Sequence, residues 1–111
     1  MLIGIPRERK TLEGRIALTP AAVADLIADG HRVRIEDDAG VGSGYHNSDY
    51  LAVGADVGNK PAAIYASELV VKVKEPTAEE IMWLGKGQLL FCYLHLAAYP
   101  AVLHGLLQQQ V

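Results

Sequence analysis

Cysteine is almost absent: Cys92 is the only one in 111 residues. That excludes an intramolecular disulfide and any cysteine-rich zinc site, and it fits a reducing compartment. Aromatic residues are also scarce, at 6%, too few for the stacking platforms that bind single-stranded nucleic acid. No excess of positive charge is present. Ten basic residues are scattered among thirteen acidic ones, for a net charge of −3, so the chain offers no basic field to a phosphate backbone. A secretory leader is not evident either, because the charges of "MLIGIPRERK" follow a very short apolar segment instead of preceding a long one. The longest stretch without charge, "GQLLFCYLHLAAYPAVLHGLLQQQV", is interrupted by His95, Pro100, His104 and Gly105, which argues against a membrane span. The expectation is a cytoplasmic protein with no nucleic-acid or membrane partner.

The composition is that of an ordinary globular protein, 50% hydrophobic and 21% charged, with length for one domain. Short apolar runs alternate with helix-like segments. "LIGI" (Leu2–Ile5) reads as a strand stopped by Pro6. Thr19 followed by Pro20 predicts a helix start, with Gly30 as its stop. "RVRIE" (Arg32–Glu36) alternates as a strand does. "SDYLAVG" predicts a short helix capped by Ser48 and ended by Gly54, and a helical turn is expected near Lys60–Tyr65. "LVVKVK" (Leu69–Lys74) predicts a strand. Thr77 and Glu80 form a capping-box pattern for a helix running to Leu84. "LLFCYL" predicts another strand, and Pro100 opens a last helix. This alternation predicts an α/β fold, an open and mainly parallel Rossmann-like sheet flanked by helices.

In such sheets ligands bind beyond the carboxyl ends of the strands. Arg15 follows the first strand, Lys74 closes "LVVKVK" and His95 closes "LLFCYL". Each has a plain reading: a surface arginine, an edge-strand lysine on the same face as Lys72, a structural histidine buried in an apolar run. Taken together they suit a small 2-oxo acid, since a guanidinium fork binds carboxylate, an ammonium polarises a carbonyl and an imidazole moves protons near neutral pH. Glu8 and Glu75 flank this rim as candidate orienting carboxylates, and ordinary solvated carboxylates fit equally well. Cys92 reads as a buried, inert thiol.

The loop "AGVGSGY" resembles a dinucleotide fingerprint only in part. Gly40, Gly42 and Gly44 follow a strand, but Tyr45 stands where the third glycine belongs, and Glu36, Asp37 and Asp38 would repel a pyrophosphate; a flexible turn is the better reading. His31 and His46 lack metal-ligand spacing.

The segments "IGIPRERKTLEGRIALTP", "GHRV", "AGVGSGY", "LVVKVKEP" and "GQLLFCYLHLAA" resemble, in order, the N-terminal part of bacterial alanine dehydrogenases. The related membrane transhydrogenases share "GIPRE" and the "TP" helix start but lack the paired "KEP" and "LHL". The resemblance implies oxidation of L-alanine with NAD and water to pyruvate, ammonia and NADH. It implies that Arg15 grips the substrate carboxylate, Lys74 polarises the pyruvate carbonyl, His95 transfers protons and Tyr93 lines the substrate pocket. It also implies a much longer protein, a hexamer, whose substrate domain these residues 1–111 begin. In that family NAD is bound by a separate inserted domain, which carries the glycine fingerprint and a catalytic aspartate and is missing from these residues. This chain alone is therefore expected to be catalytically incomplete. A non-catalytic 2-oxo-acid-binding module and a transhydrogenase segment are the competing readings.

Overall fold

Five parallel strands in the order β3-β2-β1-β4-β5 carry the molecule, in a computed structural model that describes residues 1–111. The strands are β1 (Leu2–Ile5), β2 (Arg32–Glu36), β3 (Asp56–Gly58), β4 (Leu69–Lys74) and β5 (Leu89–Tyr93). The helices are α1 (Pro20–Ala28), α2 (Asn47–Ala52), α3 (Pro61–Tyr65), α4 (Ala78–Ile81) and α5 (Pro100–Gln109). From β1 the chain winds outward through β2 to β3, then returns past β1 to lay down β4 and β5. The order therefore reverses between β1 and β4, where Ile3 pairs with Leu69 and Gly4 with Val70, and a crevice opens beyond their carboxyl ends.

Strand faces follow the period of two. Ile3, Ile5, Val33 and Ile35 pack with Val23 of α1 and Tyr50 of α2 into one apolar cluster. On the opposite face Val70 joins Tyr65, Ile81, Leu84, Val102 and Leu106. Gly4 allows α3 to close on the sheet: a Cβ there would overlap the Ile64 carbonyl oxygen and lie 2.6 Å from Ser67 Oγ. The two faces are not equally covered. Leu69 and Val71 pack against the first cluster, but their β5 neighbours on that face, Leu89 and Phe91, are exposed, as is Tyr93.

Helix starts obey the chemistry of their caps. Thr19 Oγ1 accepts from the Ala22 N–H, with Pro20 at the first helical position. Thr77 and Glu80 satisfy each other's backbone N–H groups, a complete capping box. Several element limits differ from the sequence reading. The α2 cap is His46, not Ser48: the Asp49 carboxylate accepts from the His46 N–H, while Asn47 Oδ1 turns back to the Asp38 N–H. α4 stops at Ile81 instead of Leu84, and the chain continues in tighter i→i+3 bonds from Trp83 to Glu80 and from Leu84 to Ile81. β3 is an added strand, three residues long, formed by pairing with Arg34–Glu36. No helix is long and apolar enough to cross a membrane.

Candidate active site at the strand-order reversal

Lys10 and Glu13, from the segment after β1, border one cleft with Lys74 and Glu75 at the end of β4, Arg15 lines a second cleft with Phe91 and Tyr93 of β5, and His95 follows β5. Each group is held by partners far away in sequence or by a close neighbour in its own loop.

Arg15 extends a largely exposed side chain, gripped along one edge by Glu13: Nε to Oε2 at 2.9 Å and Nη2 to Oε1 at 2.6 Å. The same carboxylate accepts from the Arg15 backbone N–H. The Arg15 side-chain bond is the main cause of a Glu13 carboxyl held at about 2, with nearby Lys74 adding to the effect. Glu13 takes the Nε–Nη2 side of the guanidinium, so Nη1 and the second Nη2 hydrogen are available to another carboxylate. The loop behind Arg15 is fixed by the glycine-rich segment. Ser43 Oγ accepts from the Ile16 N–H and donates to the Gly14 carbonyl. Gly42 lies so close to Gly14 that a Cβ would overlap the Gly14 carbonyl oxygen. "AGVGSGY" is thus a docked loop built on a 3-10 turn (Val41–Ser43), not a free flexible turn.

Lys74 and Lys72 do not share surroundings, contrary to the regular-strand expectation. Val71 pairs with Phe91 and Lys74 with Tyr93, so β4 takes three steps where β5 takes two. This bulge inserts one residue and changes the parity of the strand. Lys72 is fully buried, whereas Lys74 borders an open cleft with Lys10, Glu13 and Glu75. β4 is also an interior strand, between β1 and β5, so the edge-strand reading of its lysines does not apply.

His95 lies outside the strand, which ends at Tyr93. Its side chain is 49% exposed, so the apolar run does not bury it. The chain turns there: His95 has φ 51° and its carbonyl accepts from the Ala98 and Tyr99 N–H groups. The ring is held by Glu75, with Nδ1 and Oε2 3.0 Å apart. Burial alone would raise the Glu75 carboxyl. Hydrogen bonds from Lys10, its own backbone N–H and His95 outweigh burial and hold it at about 2. An ionised carboxylate only accepts, which assigns a proton to Nδ1, so that in the neutral ring the lone pair is on Nε2. The Tyr93 ring sits 6.3 Å from the imidazole. Cys92 is part-buried, and burial pushes its thiol up to about 11, far from a working nucleophile.

The family model described as "Alanine dehydrogenase/PNT, N-terminal domain" matches residues 4–111. The chain belongs to the alanine dehydrogenase/PNT N-terminal domain family. Alanine dehydrogenase of Bacillus subtilis (strain 168) is 48% identical over 106 residues, covering 96% of this chain and 28% of the relative. A solved L-alanine dehydrogenase superposes with a TM-score of 0.96 at 43% identity, over 98% of this chain and 30% of its own. A transhydrogenase from Sinorhizobium meliloti superposes at 0.93 with 25% identity, over 99% of this chain and 33% of its own. The chain thus spans about a third or less of these relatives.

The glycine loop does not fit a nicotinamide dinucleotide: Gly14 fills the inner side of Gly42, Gly44 closes a 3-10 turn, and Asp37 stands at the loop entrance, its carboxylate bound by Asn47. Sequence reasoning singles out Arg15, Lys74, Tyr93 and His95, and it notes Glu75. It misses Glu13 and Lys10. Glu13 has a faint signal in its i, i+2 spacing to Arg15. Lys10, 2.9 Å from Glu75 and over the Tyr99 ring at 4.8 Å, has none.

Proposed function

We propose that this chain supplies the substrate-binding face of an NAD-dependent alanine dehydrogenase, which converts L-alanine, NAD and water to pyruvate, ammonia, NADH and a proton. What supports the reading is that Lys74 ends β4 beside Tyr93, that Glu75 next to it holds His95 just beyond β5, and that Glu13 shares a cleft with Lys74 while leaving half of the Arg15 fork open. The free side of Arg15 takes the substrate carboxylate. Lys74 donates to the oxygen on C2 and stabilises negative charge there. Once loss of the C2 hydride has made C2 an iminium carbon, His95 Nε2 accepts a proton from the water that adds there, and the imidazolium returns it to the departing amine as the C2–N bond breaks. Glu75 fixes the tautomer and steadies the charged ring. Tyr93 borders the same pocket.

The hydride acceptor is NAD, and no residue of these 111 is assigned to it. On this reading the 111 residues hold the 2-oxo acid, and hydride transfer also needs the part of the working enzyme that binds NAD. The working enzyme is a cytoplasmic homo-oligomer, a hexamer as the family resemblance implies.

The test is NAD reduction by L-alanine with the intact protein purified from its own cell, alongside pyruvate binding. Turnover that disappears in Lys74→Met and His95→Asn supports the reading. Pyruvate binding without turnover would favour a 2-oxo-acid-binding module, and hydride exchange between nucleotides without alanine dependence would favour a transhydrogenase.

A further inference from the structure

Beneath the crevice lies a group of buried charges that the proposed chemistry does not use. Lys72 Nζ lies 3.2 Å from Glu8 Oε1 and 3.5 Å from Glu80 Oε2, and all three side chains are at most 2% exposed. Glu80 also accepts from the Tyr65 hydroxyl and the Thr77 N–H. Arg9 is bound to Glu36 and stacked over Trp83. Such a network is a poor device for stability alone, because apolar side chains of similar volume do as well or better in many folds.

Its remaining bonds point elsewhere. Glu8 Oε1 accepts from the Lys74 N–H and Oε2 from the Val73 N–H, both at 3.0 Å, and Lys72 Nζ donates to the Lys74 carbonyl at 3.2 Å. Both peptide groups flanking the Lys74 Cα are therefore held by one buried ion pair. These bonds fall at the bulge between Val71 and Lys74, where pairing with β5 is interrupted and backbone groups need other partners. In an unbulged strand Lys74 would lie on the face of Lys72, away from Tyr93.

We infer that Glu8 and Lys72 are positioning residues for Lys74: the pair stabilises the bulge that turns the Lys74 ammonium out of the core and into the crevice. This rests on the reading of Lys74 as the group that polarises C2 of the substrate. Neither residue touches substrate. Their effect passes through the backbone, where a displacement of about 1 Å at a reacting group costs on the order of 100-fold.

The experiment uses the intact protein and separates rate from stability. Glu8→Gln and Lys72→Met are each expected to lower kcat for pyruvate reduction by about 100-fold with little change in KM. The double variant Glu8→Gln/Lys72→Met leaves neither partner as an uncompensated ion, so it is the form to assay if the single variants do not fold, and it should show the same kcat loss. Tyr65→Phe touches Glu80 but not Lys74, and should lower Tm while leaving kcat within about twofold of the parent. Normal kcat in folded Glu8→Gln or in the double variant overturns the inference, as does a kcat loss in Tyr65→Phe equal to theirs. Lys74→Met separates the two levels. If it keeps full kcat, the reading of Lys74 falls and takes this inference with it; if it is inactive while Glu8→Gln is not, only the inference falls.

Discussion

The two halves of the sheet are built on different principles. Around β1 and β2, Ile3, Ile5, Val33 and Ile35 meet α1 and α2 on one face, α3 closes over Gly4 on the other, and the largest groups are fully buried. Around β4 and β5, the inner face holds a buried lysine and two buried glutamates, and the outer face leaves Leu89, Phe91 and Tyr93 exposed. The apolar half gains its stability from area removed from water. The polar half spends part of that gain on holding charge and backbone in fixed places at the crevice. The contrast teaches where substitution should be felt as lost stability and where as lost chemistry.

The largest expected effect is chemical. His95→Asn should lower kcat/KM for L-alanine by about 10²–10⁴-fold, roughly 3–5 kcal/mol of barrier, in the intact enzyme. Asparagine is chosen because residue 95 has φ 51°, a backbone region that asparagine tolerates and alanine does not favour. Tm should therefore hold. A variant that loses Tm in step with activity would erase the division between the two halves. Gly4→Ala is its mirror image in the apolar half. The added methyl meets the Ile64 carbonyl and Ser67, so it should cost roughly 3 kcal/mol of stability by denaturant unfolding, with kcat/KM unchanged where the protein is folded. An unperturbed unfolding midpoint would show that α3 can retreat.

Gly42→Ala sharpens the comparison at the boundary. The new Cβ would overlap the Gly14 carbonyl oxygen and lie 3.0 Å from the Gly14 Cα. Backbone one residue before Arg15 must then shift. KM for L-alanine should rise roughly tenfold, about 1.4 kcal/mol, with a smaller stability loss than in Gly4→Ala because both loops are at the surface. An unchanged KM would mean that the glycine loop does not set the position of Arg15.

Much of this architecture is legible in the amino-acid sequence, and for physical reasons. Branched runs such as "LIGI" and "RVRIE", and the local Thr19–Pro20 and Thr77–Glu80 cap chemistry, act over a few residues, and the fold has all four elements. Strand polarity alone puts Arg15, Lys74 and His95 beyond the carboxyl ends of their strands, whereas which strands adjoin depends on an order the sequence does not carry. What stays hidden depends on distant partners. β3 carries a single apolar side chain, Val57, and becomes a strand because β2 offers it a ladder. Lys72 looks like any strand lysine until Glu8, sixty-four residues earlier, is brought against it. The bulge that separates Lys72 from Lys74 leaves no mark in "KVKEP". His95 reads as buried because its neighbours are apolar, but a turn through the left-handed region after Tyr93 takes it into the open.

The smallest effect concerns acid. Glu75 is held at about 2 in the folded protein against an ordinary value of 4.5, and Glu13 likewise. A carboxyl whose folded value is depressed contributes stability that is present in full above the unfolded value. That stability drains away as pH falls from about 4.5 toward about 2, because in this window the unfolded chain binds more protons than the folded one. Glu75→Gln removes the Glu75 contribution. Its stability should thus fall less steeply than the parent's over that window, and the gap between the two proteins should be narrower at pH 3 than at pH 7. Denaturant unfolding at both values reads this directly. Parallel curves would mean that the Lys10–Glu75–His95 contacts do not hold the carboxylate in solution, and the tautomer assigned to His95 would lose its support.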